Sequence, residues 1–365
     1  MSSFRLPGGG RIDRSKRLRF RFDGRAYEGV AGDTLASALI ANGVHLVGRS
    51  FKYHRPRGIV AAGADEPNAL VNLVRDDARS APNMRATQIE LYDGLVAESQ
   101  NRWPSLAFDL MSLNDWLSPM FTAGFYYKTF MWPASFWEKV YEPLIRKAAG
   151  LGKATTEPDP DSYDRAHAFC DVLIIGSGPA GLSAALEAAR AKARVILVEE
   201  DWLLGGRLLS ESHEIDGAPA IEWVRKVQDA LSAMPNVSIL SRTTVFGAYD
   251  GGTFGAVGRI ADHLAEPAPG TPRQRLWKIR ARRTILATGA IERPLVFGGN
   301  DRPGVMMASA VRAYATRFAA IPGEEIVVTT TTDSGWAAAK DLTDRGANVT
   351  AIIDARVSAP GEAAR

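Results

Sequence analysis

A glycine-rich turn between two apolar runs constrains the fold of this chain more than any other feature. The run at 172–175 leads directly into G-x-G-x-x-G at 176–181, and a second run at 195–198 ends at Glu199. This order of strand, glycine turn, helix, strand and acidic residue is the context that the dinucleotide-binding fingerprint requires. Its glycines allow a tight turn and a close approach to a pyrophosphate, and its acid accepts from a ribose hydroxyl. The sequence therefore predicts a Rossmann-like domain that binds an adenine dinucleotide.

Later segments extend the predicted site. A glycine pair at 205–206 lies where it can pass under the pyrophosphate, and 243–247 can approach an adenine ring. Strands are predicted at 276–279 and 284–289, and the second ends in Ala-Thr-Gly. NAD and FAD share one pyrophosphate geometry, so these residues leave both cofactors open. No catalytic residue and no metal ligand is predicted. The predicted cofactor-binding residues are Gly176, Ser177, Gly178, Pro179, Ala180, Gly181, Glu199, Glu200, Gly206, Arg207, Val245, Thr288 and Gly289.

Composition excludes several classes of protein. The 365 residues include one cysteine, Cys170, so no disulfide and no C-x-x-C redox pair can form within the chain. The net charge of +3 gives no support for nucleic-acid binding. No uncharged stretch is long enough for a membrane span, and the basic N-terminus lacks the apolar core of a secretory signal. We therefore expect a cytoplasmic protein, with no nucleic acid and no membrane among its partners.

Residues 1–99 show the pattern of a β-grasp domain. The predicted elements are a hairpin of strands 18–22 and 27–30 around Asp23-Gly24, a helix capped by Asp33 and ended by Gly43, and strands at 69–74 and 88–91. Plant-type ferredoxins have this fold and hold a [2Fe–2S] cluster with four cysteines in the loop after the helix. Here that loop, 50–63, contains no cysteine. We therefore expect a β-grasp domain with no Fe–S cluster.

Residues 100–165 form an aromatic-rich connecting segment. Twelve of the chain's 31 aromatic side chains lie between Trp103 and Tyr141. Two interpretations stay open: core packing between the flanking domains, and a protein–protein interface, where aromatic residues concentrate. The stretch 152–164, rich in Pro, Asp and Thr, is predicted to be the linker into the next domain.

Two nucleotide-type units follow the linker. The sequence predicts an FAD/NAD(P)-binding domain at 166–323 and the start of a second, degenerate unit at 324–365. The turn 330–335 of the second unit keeps only the last glycine of the fingerprint. Side chains at the other two positions hold the backbone away from a pyrophosphate, so we expect the fold without a tightly held dinucleotide. No returning strand follows, and we therefore expect the N-terminal part of a longer polypeptide or one piece of a split one.

Several longer stretches resemble the α-subunit family of heterotetrameric sarcosine oxidases. They are FDGR (22–25), GDTL (32–35), RSFKYHRPRG (49–58), EPNAL (66–70), GFYYKTFMWP (124–133), FWEKVYEP (136–143), ATGAIERPLVF (287–297) and GNDRPGV (299–305). The resemblance covers nearly the whole chain, and the aromatic block favours this family over opine oxidases, hydrogen cyanide synthases and dye-linked proline dehydrogenases, which share the nucleotide domain.

The resemblance implies a set of cofactors and partners. It implies NAD on the G-x-G-x-x-G of this chain, FAD on a β subunit that oxidises sarcosine, FMN at the interface between the two subunits, and further small subunits. The overall reaction converts sarcosine, water and oxygen into glycine, formaldehyde and hydrogen peroxide. The family's C-terminal folate-binding domain is missing from this sequence, and its amine-oxidising residues belong to another chain. We therefore expect an oxidoreductase acting on the CH–NH group of donors that is active only as part of a complex.

Two other functions stay open, and so does the role of one loop. The chain can be a truncated, non-catalytic nucleotide-binding scaffold, or a free-standing NAD(P)H-flavin reductase, although the latter requires a dithiol or a second intact fingerprint. The basic loop 49–57 can meet a phosphate or the β subunit, or can simply be solvated. His54 has no carboxylate nearby in sequence, so we do not predict a catalytic role for it.

Overall fold

A computed structural model describes residues 4–120, 124, 132–148 and 150–357. Most of the aromatic stretch 121–131 and the end of the second nucleotide-type unit, 358–365, lie outside the described residues. The strands are β1 (Asp13–Phe22), β2 (Arg25–Ala31), β3 (Gly48–Arg49), β4 (Pro56–Arg57), β5 (Leu70–Val74), β6 (Ser80–Arg85), β7 (Leu95–Ser99), β8 (Tyr163–Ile175), β9 (Val195–Val198), β10 (Glu214–Ile215), β11 (Ala218–Pro219), β12 (Val237–Leu240), β13 (Thr243–Tyr249), β14 (Thr253–Arg259), β15 (Gln274–Leu286), β16 (Ile326–Thr330) and β17 (Val349–Asp354). The helices are α1 (Leu35–Ala41), α2 (Leu113–Trp116), α3 (Glu142–Ala148), α4 (Pro179–Arg190), α5 (Ala220–Ser232), α6 (Ala308–Phe318) and α7 (Asp333–Asp344).

The N-terminal unit is a five-stranded sheet with the strand order β2-β1-β7-β5-β6. β1 and β2 form an antiparallel hairpin whose turn residues, Asp23 and Gly24, both have positive φ, and β7 pairs with β1 in parallel. The inward side chains of the strands, such as Phe20, pack with α1 in one hydrophobic core. α1 is buried over its whole length and covers this face of the sheet. This is the predicted β-grasp arrangement.

One predicted strand of this unit is wrong. Residues 88–91 do not form a strand, because Glu90 makes only an isolated bridge to Thr34. The backbone of this segment instead serves the start of α1, where the N–H of Leu35 donates to the carbonyl of Ile89 at 2.9 Å. The orphan N–H groups of a buried helix start need acceptors, and here they take the bonds that a sheet would otherwise use. The sheet is completed by β6 and β7, which the sequence pattern did not predict.

The N-cap of α1 is Thr34 and not the predicted Asp33. Thr34 Oγ1 accepts from the N–H of Ser37, and Ser37 Oγ accepts in return from the N–H of Thr34, which is a capping box. Asp33 instead accepts from Ser37 Oγ at 2.7 Å and pairs with Arg5 at 2.7 Å. The carboxylate of Asp33 therefore connects the N-terminal segment, through Arg5, with the first turn of α1, through Ser37.

The second unit is a six-stranded sheet with the order β12-β9-β8-β15-β14-β13. β12, β9, β8 and β15 run parallel to one another, and β13 to β15 form an antiparallel meander. One face of the parallel strands packs against α4 and α5, which bury side chains such as Leu182 and Val224. On the other face of the sheet, side chains such as Cys170 and Leu173 pack with Ile279 of the meander. The sheet is the predicted Rossmann-like platform for the glycine turn.

β8 and β15 are longer than the sequence pattern predicts. β8 begins at Tyr163, inside the predicted linker, and β15 runs unbroken from Gln274 to Leu286 where the sequence predicts two strands. The two strands pair in parallel from Tyr163–Gln274 to Ile175–Leu286. Each strand satisfies the backbone of the other, so polar stretches with loop-like composition are held in the ladder.

A third unit contains the two-stranded parallel sheet of β16 and β17, with α7 between the two strands in the chain. α6 lies between this unit and the N-terminal core. Ala315 of α6 packs with β16 and α7, whereas Tyr314 and Phe318 pack into the N-terminal core. One helix therefore contacts both units. Across the described ranges, no helix is both long and apolar enough to cross a membrane.

Candidate dinucleotide site

The three glycines of the fingerprint have different structural roles. Gly176 has φ of +99°, and a Cβ added there would lie 2.4 Å from the carbonyl oxygen of Ala287. A Cβ on Gly181 would lie 1.9 Å from the carbonyl oxygen of Gly176. Gly178 has no heavy atom within 4 Å of a built Cβ. The first and third glycines are therefore required by the chain's own packing, whereas the second leaves an open space above the backbone.

The open glycine is also the first residue of a helix end with free donors. Gly178 is the N-cap of α4, no side chain caps it, and Pro179 occupies the first helical position. The first helical hydrogen bond runs from the N–H of Leu182 to the carbonyl of Gly178, at 2.9 Å. The N–H groups before Leu182 therefore have no partner within the helix, and they lie at the positive end of its dipole. This arrangement suits a phosphate group.

Glu199, the predicted ribose ligand, is held against the glycine turn. It is 8% exposed, and its Oε2 accepts from both the N–H and the hydroxyl of Ser177, at 2.9 and 2.6 Å. Its Oε1 accepts from the N–H of Asp201 at 2.9 Å. A carboxylate has about four acceptor positions, and three are used here. The remaining position can accept a ribose hydroxyl.

Glu200 is half-buried, next to Glu199 in the chain. Burial raises its pKa above the ordinary range, and the neighbouring charge of Glu199 raises it further. Its carbonyl oxygen accepts from Arg259 Nη2 at 2.6 Å. The structure therefore places Glu200 beside the site and shows no contact that would make it a ligand.

The second glycine pair packs directly on the first turn. The N–H of Gly205 donates to the carbonyl of Ser177 at 3.0 Å, and a Cβ on Gly206 would lie 2.8 Å from the Cα of Gly178. Arg207 turns outward instead, with its Nη2 2.6 Å from Glu211 Oε1. The predicted approach of Gly206 is therefore present, whereas the guanidinium of Arg207 is paired within its own loop.

A cavity of about 200 Å³ lies next to this second loop. Its wall includes Gly63 of the N-terminal unit, Arg207 and Glu211 of the loop, and Ser309 and Arg312 of α6. Arg207 follows Gly206 in the chain, so the cavity lies beside the glycine pair.

The remaining predicted residues lie around the turn at different distances. The Cα of Thr288 is 3.3 Å from a Cβ built on Gly176, so the Ala-Thr-Gly segment touches the first glycine. Gly289 has φ of +74° and open space around it. Val245 lies on β13, paired with Ala256, and packs into the core of the sheet. The structure shows no contact between Val245 and the turn.

The corresponding turn of the third unit is also tightly packed at its last glycine. A Cβ on Gly335 would lie 2.3 Å from Thr330 Oγ1. The acid at the end of β17, Asp354, accepts from Trp336 Nε1 at 2.8 Å and pairs with Arg356, whose hydrogen bonds hold the pKa of the carboxyl well below its usual range. Asp354 is therefore engaged by Trp336 and Arg356, and the absence of a tightly bound dinucleotide from this unit stays a prediction.

One residue of the basic loop, His54, belongs to a buried His–Asp pair that the sequence pattern does not predict. His54 Nδ1 lies 2.6 Å from Asp109 Oδ2, and both side chains are buried. The arginines of the loop are also engaged within the chain: Arg49 donates to the carbonyl of Leu106 at 2.8 Å, and Arg57 pairs with Asp301. These arginines therefore do not form a free phosphate site. His54 and Asp109 are 55 positions apart, and no local pattern links them.

Cys170 is buried within β8, and burial raises the pKa of its thiol to about 11. No group of three or more His, Cys, Asp or Glu side chains in the described part of the chain is arranged to hold a metal ion.

Comparison with known proteins identifies relatives of both main units. Residues 170–359 match the family model of pyridine nucleotide-disulphide oxidoreductases. The chain is 60% identical to sarcosine oxidase subunit alpha of Rhizobium meliloti (strain 1021) over 98% of this chain and 36% of that protein. It is 39% identical to sarcosine oxidase subunit alpha of Corynebacterium sp. (strain U-96) over 98% of this chain and 32% of that protein. The chain spans about a third of the length of these relatives.

A solved structure shows the same fold. L-proline dehydrogenase from P. horikoshii superposes with a TM-score of 0.65 at 22% identity, covering 99% of this chain and 57% of that chain. The predicted resemblance to sarcosine oxidase α subunits and the predicted combination of β-grasp and Rossmann-like domains are confirmed.

One prediction is corrected by the comparison. The expectation of no Fe–S cluster is contradicted, because residues 15–102 match the family model of the 2Fe-2S iron-sulfur cluster binding domain. That expectation was drawn from the cysteine content of the loop. Cysteine content shows whether thiolate ligands are present, but it does not show to which family a domain belongs. The loop 50–63 contains no cysteine, and Cys170 lies in β8 of the nucleotide domain. The residues present therefore do not match an ordinary set of four thiolate ligands, although the domain is of the iron–sulfur type.

Proposed function

This chain belongs to the pyridine nucleotide-disulphide oxidoreductase family, and on that basis we propose that it binds an adenine dinucleotide across the turn 176–181. The observation that carries the proposal is the open space above Gly178, between two glycines that have none. A pyrophosphate placed there meets free N–H groups at the start of α4 and the backbone of Gly206. At the end of β9, Glu199 has one acceptor position left for the adenosine ribose.

The dinucleotide is NAD by resemblance to the sarcosine oxidase α subunits, and FAD is the alternative. When bound, such a cofactor supplies hydride or electron transfer, and the protein supplies position and electrostatics. The residues of this chain bind the phosphates, orient the ribose through Glu199 and shape the approach to the cavity beside Arg207. No side chain of the turn is a general acid or base, so the proposed role of this site is binding.

We further propose that the chain acts as part of the α subunit of a flavin-dependent amine oxidase complex. Its substrate would be sarcosine, converted with water and oxygen into glycine, formaldehyde and hydrogen peroxide, and its location the cytoplasm. The 60% identity to a sarcosine oxidase subunit alpha supports this assignment. The partners are a β subunit that carries out amine oxidation, and small subunits, with an FMN at the α–β interface.

The aromatic segment supplies a surface for such a partner. Among its described residues, Trp116 and Trp132 are each 83% exposed, and Phe108 is 64% exposed. Exposed large apolar side chains are unfavourable in water, and where they form a patch they are typical of interaction sites. This favours the interface interpretation over core packing for the described part of the segment, and the β subunit is the proposed occupant.

The first experiment identifies the dinucleotide. We expect purified chain to release about one equivalent of NAD on acid treatment, measured by chromatography; released FAD would replace NAD in the proposal. Gly178→Val places a side chain in the open space and should abolish retention of the cofactor. Gly8→Val is a matched control, because Gly8 also has no heavy atom within 4 Å of a built Cβ. Equal cofactor content in both variants would contradict the proposed site.

The second experiment tests the complex. The chain is co-expressed with a candidate β subunit and purified by a tag on the α chain, and flavin absorbance and peroxide production are recorded. Peroxide that depends on sarcosine supports the proposed activity. Peroxide that depends on an opine or on proline would assign the complex to a related amine oxidase. Flavin with no turnover on any of these amines would leave the scaffold function.

A further inference from the structure

Two loops that shape the dinucleotide site are not part of the sheet. One is the acidic loop 199–203 after β9, which carries Glu199, and the other is the glycine loop 205–211, which carries Gly206. The turn 176–181 itself is anchored to the sheet through the hydrogen bond from the N–H of Gly176 to the carbonyl of Val198, at 2.8 Å. Backbone hydrogen bonds hold part of each loop, from the N–H of Arg242 to the carbonyl of Asp201 at 2.9 Å and from the N–H of Gly205 to the carbonyl of Ser177 at 3.0 Å. The acidic side chains of the two loops have a further support.

α6 provides that support with two arginines. Arg317 makes a two-pronged pair with Asp201 of the acidic loop, from Nη1 to Oδ2 at 2.5 Å and from Nη2 to Oδ1 at 2.8 Å. Arg312 lies 3.4 Å from Glu211 Oε1 in the glycine loop, and it also pairs with Asp341 of α7. Both arginine side chains are about nine-tenths buried. Parallel N–H···O pairs of this kind fix orientation as well as distance.

The pair of Arg317 and Asp201 is connected directly to Glu199, the proposed ligand of the ribose. Asp201 donates its N–H to Glu199 Oε1 at 2.9 Å, and its own Oδ1 accepts from the N–H of Leu203 at 3.1 Å. The guanidinium of Arg317 also lies 4.3 Å from the ring centre of Trp202. Arg317 therefore contacts the loop at the carboxylate of Asp201 and at the ring of Trp202. The N–H of Asp201 in turn holds one carboxylate oxygen of Glu199.

We propose that Arg317 is a positioning residue for the dinucleotide: it holds the acidic loop, through Asp201, in the conformation in which Glu199 accepts the ribose. The inference rests on the proposed function of the turn 176–181. In this proposal Arg317 acts on the dinucleotide through Asp201 and Glu199. Its effect is preorganisation, because a loop that is already ordered loses less conformational entropy when the ligand binds.

The experiment compares three variants of the full chain for NAD binding by titration calorimetry. Arg317→Met keeps most of the side-chain volume and removes the pair, and we expect NAD to bind about 10-fold more weakly. Arg317→Lys keeps the charge and should recover part of the affinity. Arg190→Met is the control, since Arg190 on α4 makes an exposed ion pair with Glu187, and should bind NAD as the wild type does.

Two further readouts separate positioning from general stability. Unfolding midpoints without ligand show whether Arg317→Met is folded at the titration temperature, and Asp201→Asn, which keeps the shape of the loop, is used if it is not. In a Glu199→Gln background, Arg317→Met should weaken binding by less than about twofold, because the group that it positions has been changed.

The outcomes are distinct. Wild-type chain that binds neither NAD nor FAD would overturn the proposed function, and this inference with it. Wild-type binding together with unchanged affinity in a folded Arg317→Met or Asp201→Asn variant overturns the positioning role alone. A loss of affinity that is equally large with and without Glu199 would also overturn it, since it would show that Arg317 acts on another part of the site.

Discussion

Glu199 Oε2 accepts two hydrogen bonds from Ser177, one from the backbone N–H at 2.9 Å and one from the hydroxyl at 2.6 Å. The glycine turn and the acid that ends β9 are therefore joined before any ligand is present. A buried carboxylate that accepts three short hydrogen bonds is held in one orientation, which is the requirement for selective contact with a ribose.

Glu199→Gln should weaken both folding and binding. The amide oxygen can face Ser177, but the amide NH₂ then meets the N–H of Asp201, donor against donor. We expect a loss of about 1–3 kcal/mol in the free energy of unfolding and NAD binding weaker by about 10-fold. Urea unfolding and calorimetry measure the two effects. Glu187→Gln on the exposed face of α4 is the control, and a Glu199→Gln chain as stable as this control would contradict the prediction.

The first and third glycines should differ from the second when each is replaced. Gly181→Ala brings a Cβ against the carbonyl oxygen of Gly176, so we expect a loss of about 1–3 kcal/mol in the free energy of unfolding. Gly178→Ala meets no atom and should change stability by about 0.5 kcal/mol or less while weakening cofactor binding. Thermal unfolding of the cofactor-free chain distinguishes the two, and equal stability losses would show that the turn is packed differently.

The buried pair of His54 and Asp109 should be a stabilising contact. Asp109 Oδ1 also accepts from the N–H groups of Trp103 and Met111, at 3.2 and 3.0 Å. Asp109→Ala removes the acceptor for all three groups, and we expect a loss of about 3 kcal/mol in the free energy of unfolding. Asp115→Ala, at an exposed position of α2, is the control. Denaturant unfolding of both variants is the measurement, and similar midpoints would contradict the prediction.

Arg242 and Glu90 join the N-terminal unit to the nucleotide sheet. Arg242 Nε and Nη2 lie 2.6 and 2.7 Å from the two carboxylate oxygens of Glu90, and both side chains are largely buried. A double-mutant cycle with Arg242→Met and Glu90→Gln should give a coupling energy of about 1–2 kcal/mol. The exposed pair of Lys340 and Asp344 should give less than about 0.5 kcal/mol. Equal couplings would mean that the contact between the units contributes no more than a surface pair.

Cys170 should make stability depend on alkaline pH. Burial raises its pKa from 9.0 to about 11, so the folded chain favours the neutral thiol more than the unfolded chain does. The contribution is complete below pH 9 and is lost as pH rises from about 9 to 11. We expect the free energy of unfolding of the wild type to fall by up to about 2 kcal/mol more over this range than that of Cys170→Ala. Parallel pH profiles would show that the thiol does not titrate differently in the two states.

Features that depend on neighbouring residues could be predicted from the sequence. The hairpin at Asp23-Gly24 and the strand–turn–helix at 172–190 have signals within a few positions, since turn glycines and apolar periodicity act locally. Residues 88–91 show the limit of such reasoning: an alternating pattern predicts a strand, but their hydrogen bonds go to the start of α1.

The sequence alone determined the chemistry of the glycine turn, the acid at the end of β9 and the absence of a second intact fingerprint, because each of these is a matter of residue type at short spacing. Only the tertiary structure decided which groups meet across long separations. It joined His54 to Asp109 and Arg317 to Asp201, and it paired β8 with β15 along polar stretches. These contacts follow from how the sheets and α6 pack, and Arg317 and Asp201, 116 positions apart, carry no sign in the sequence that they form a pair.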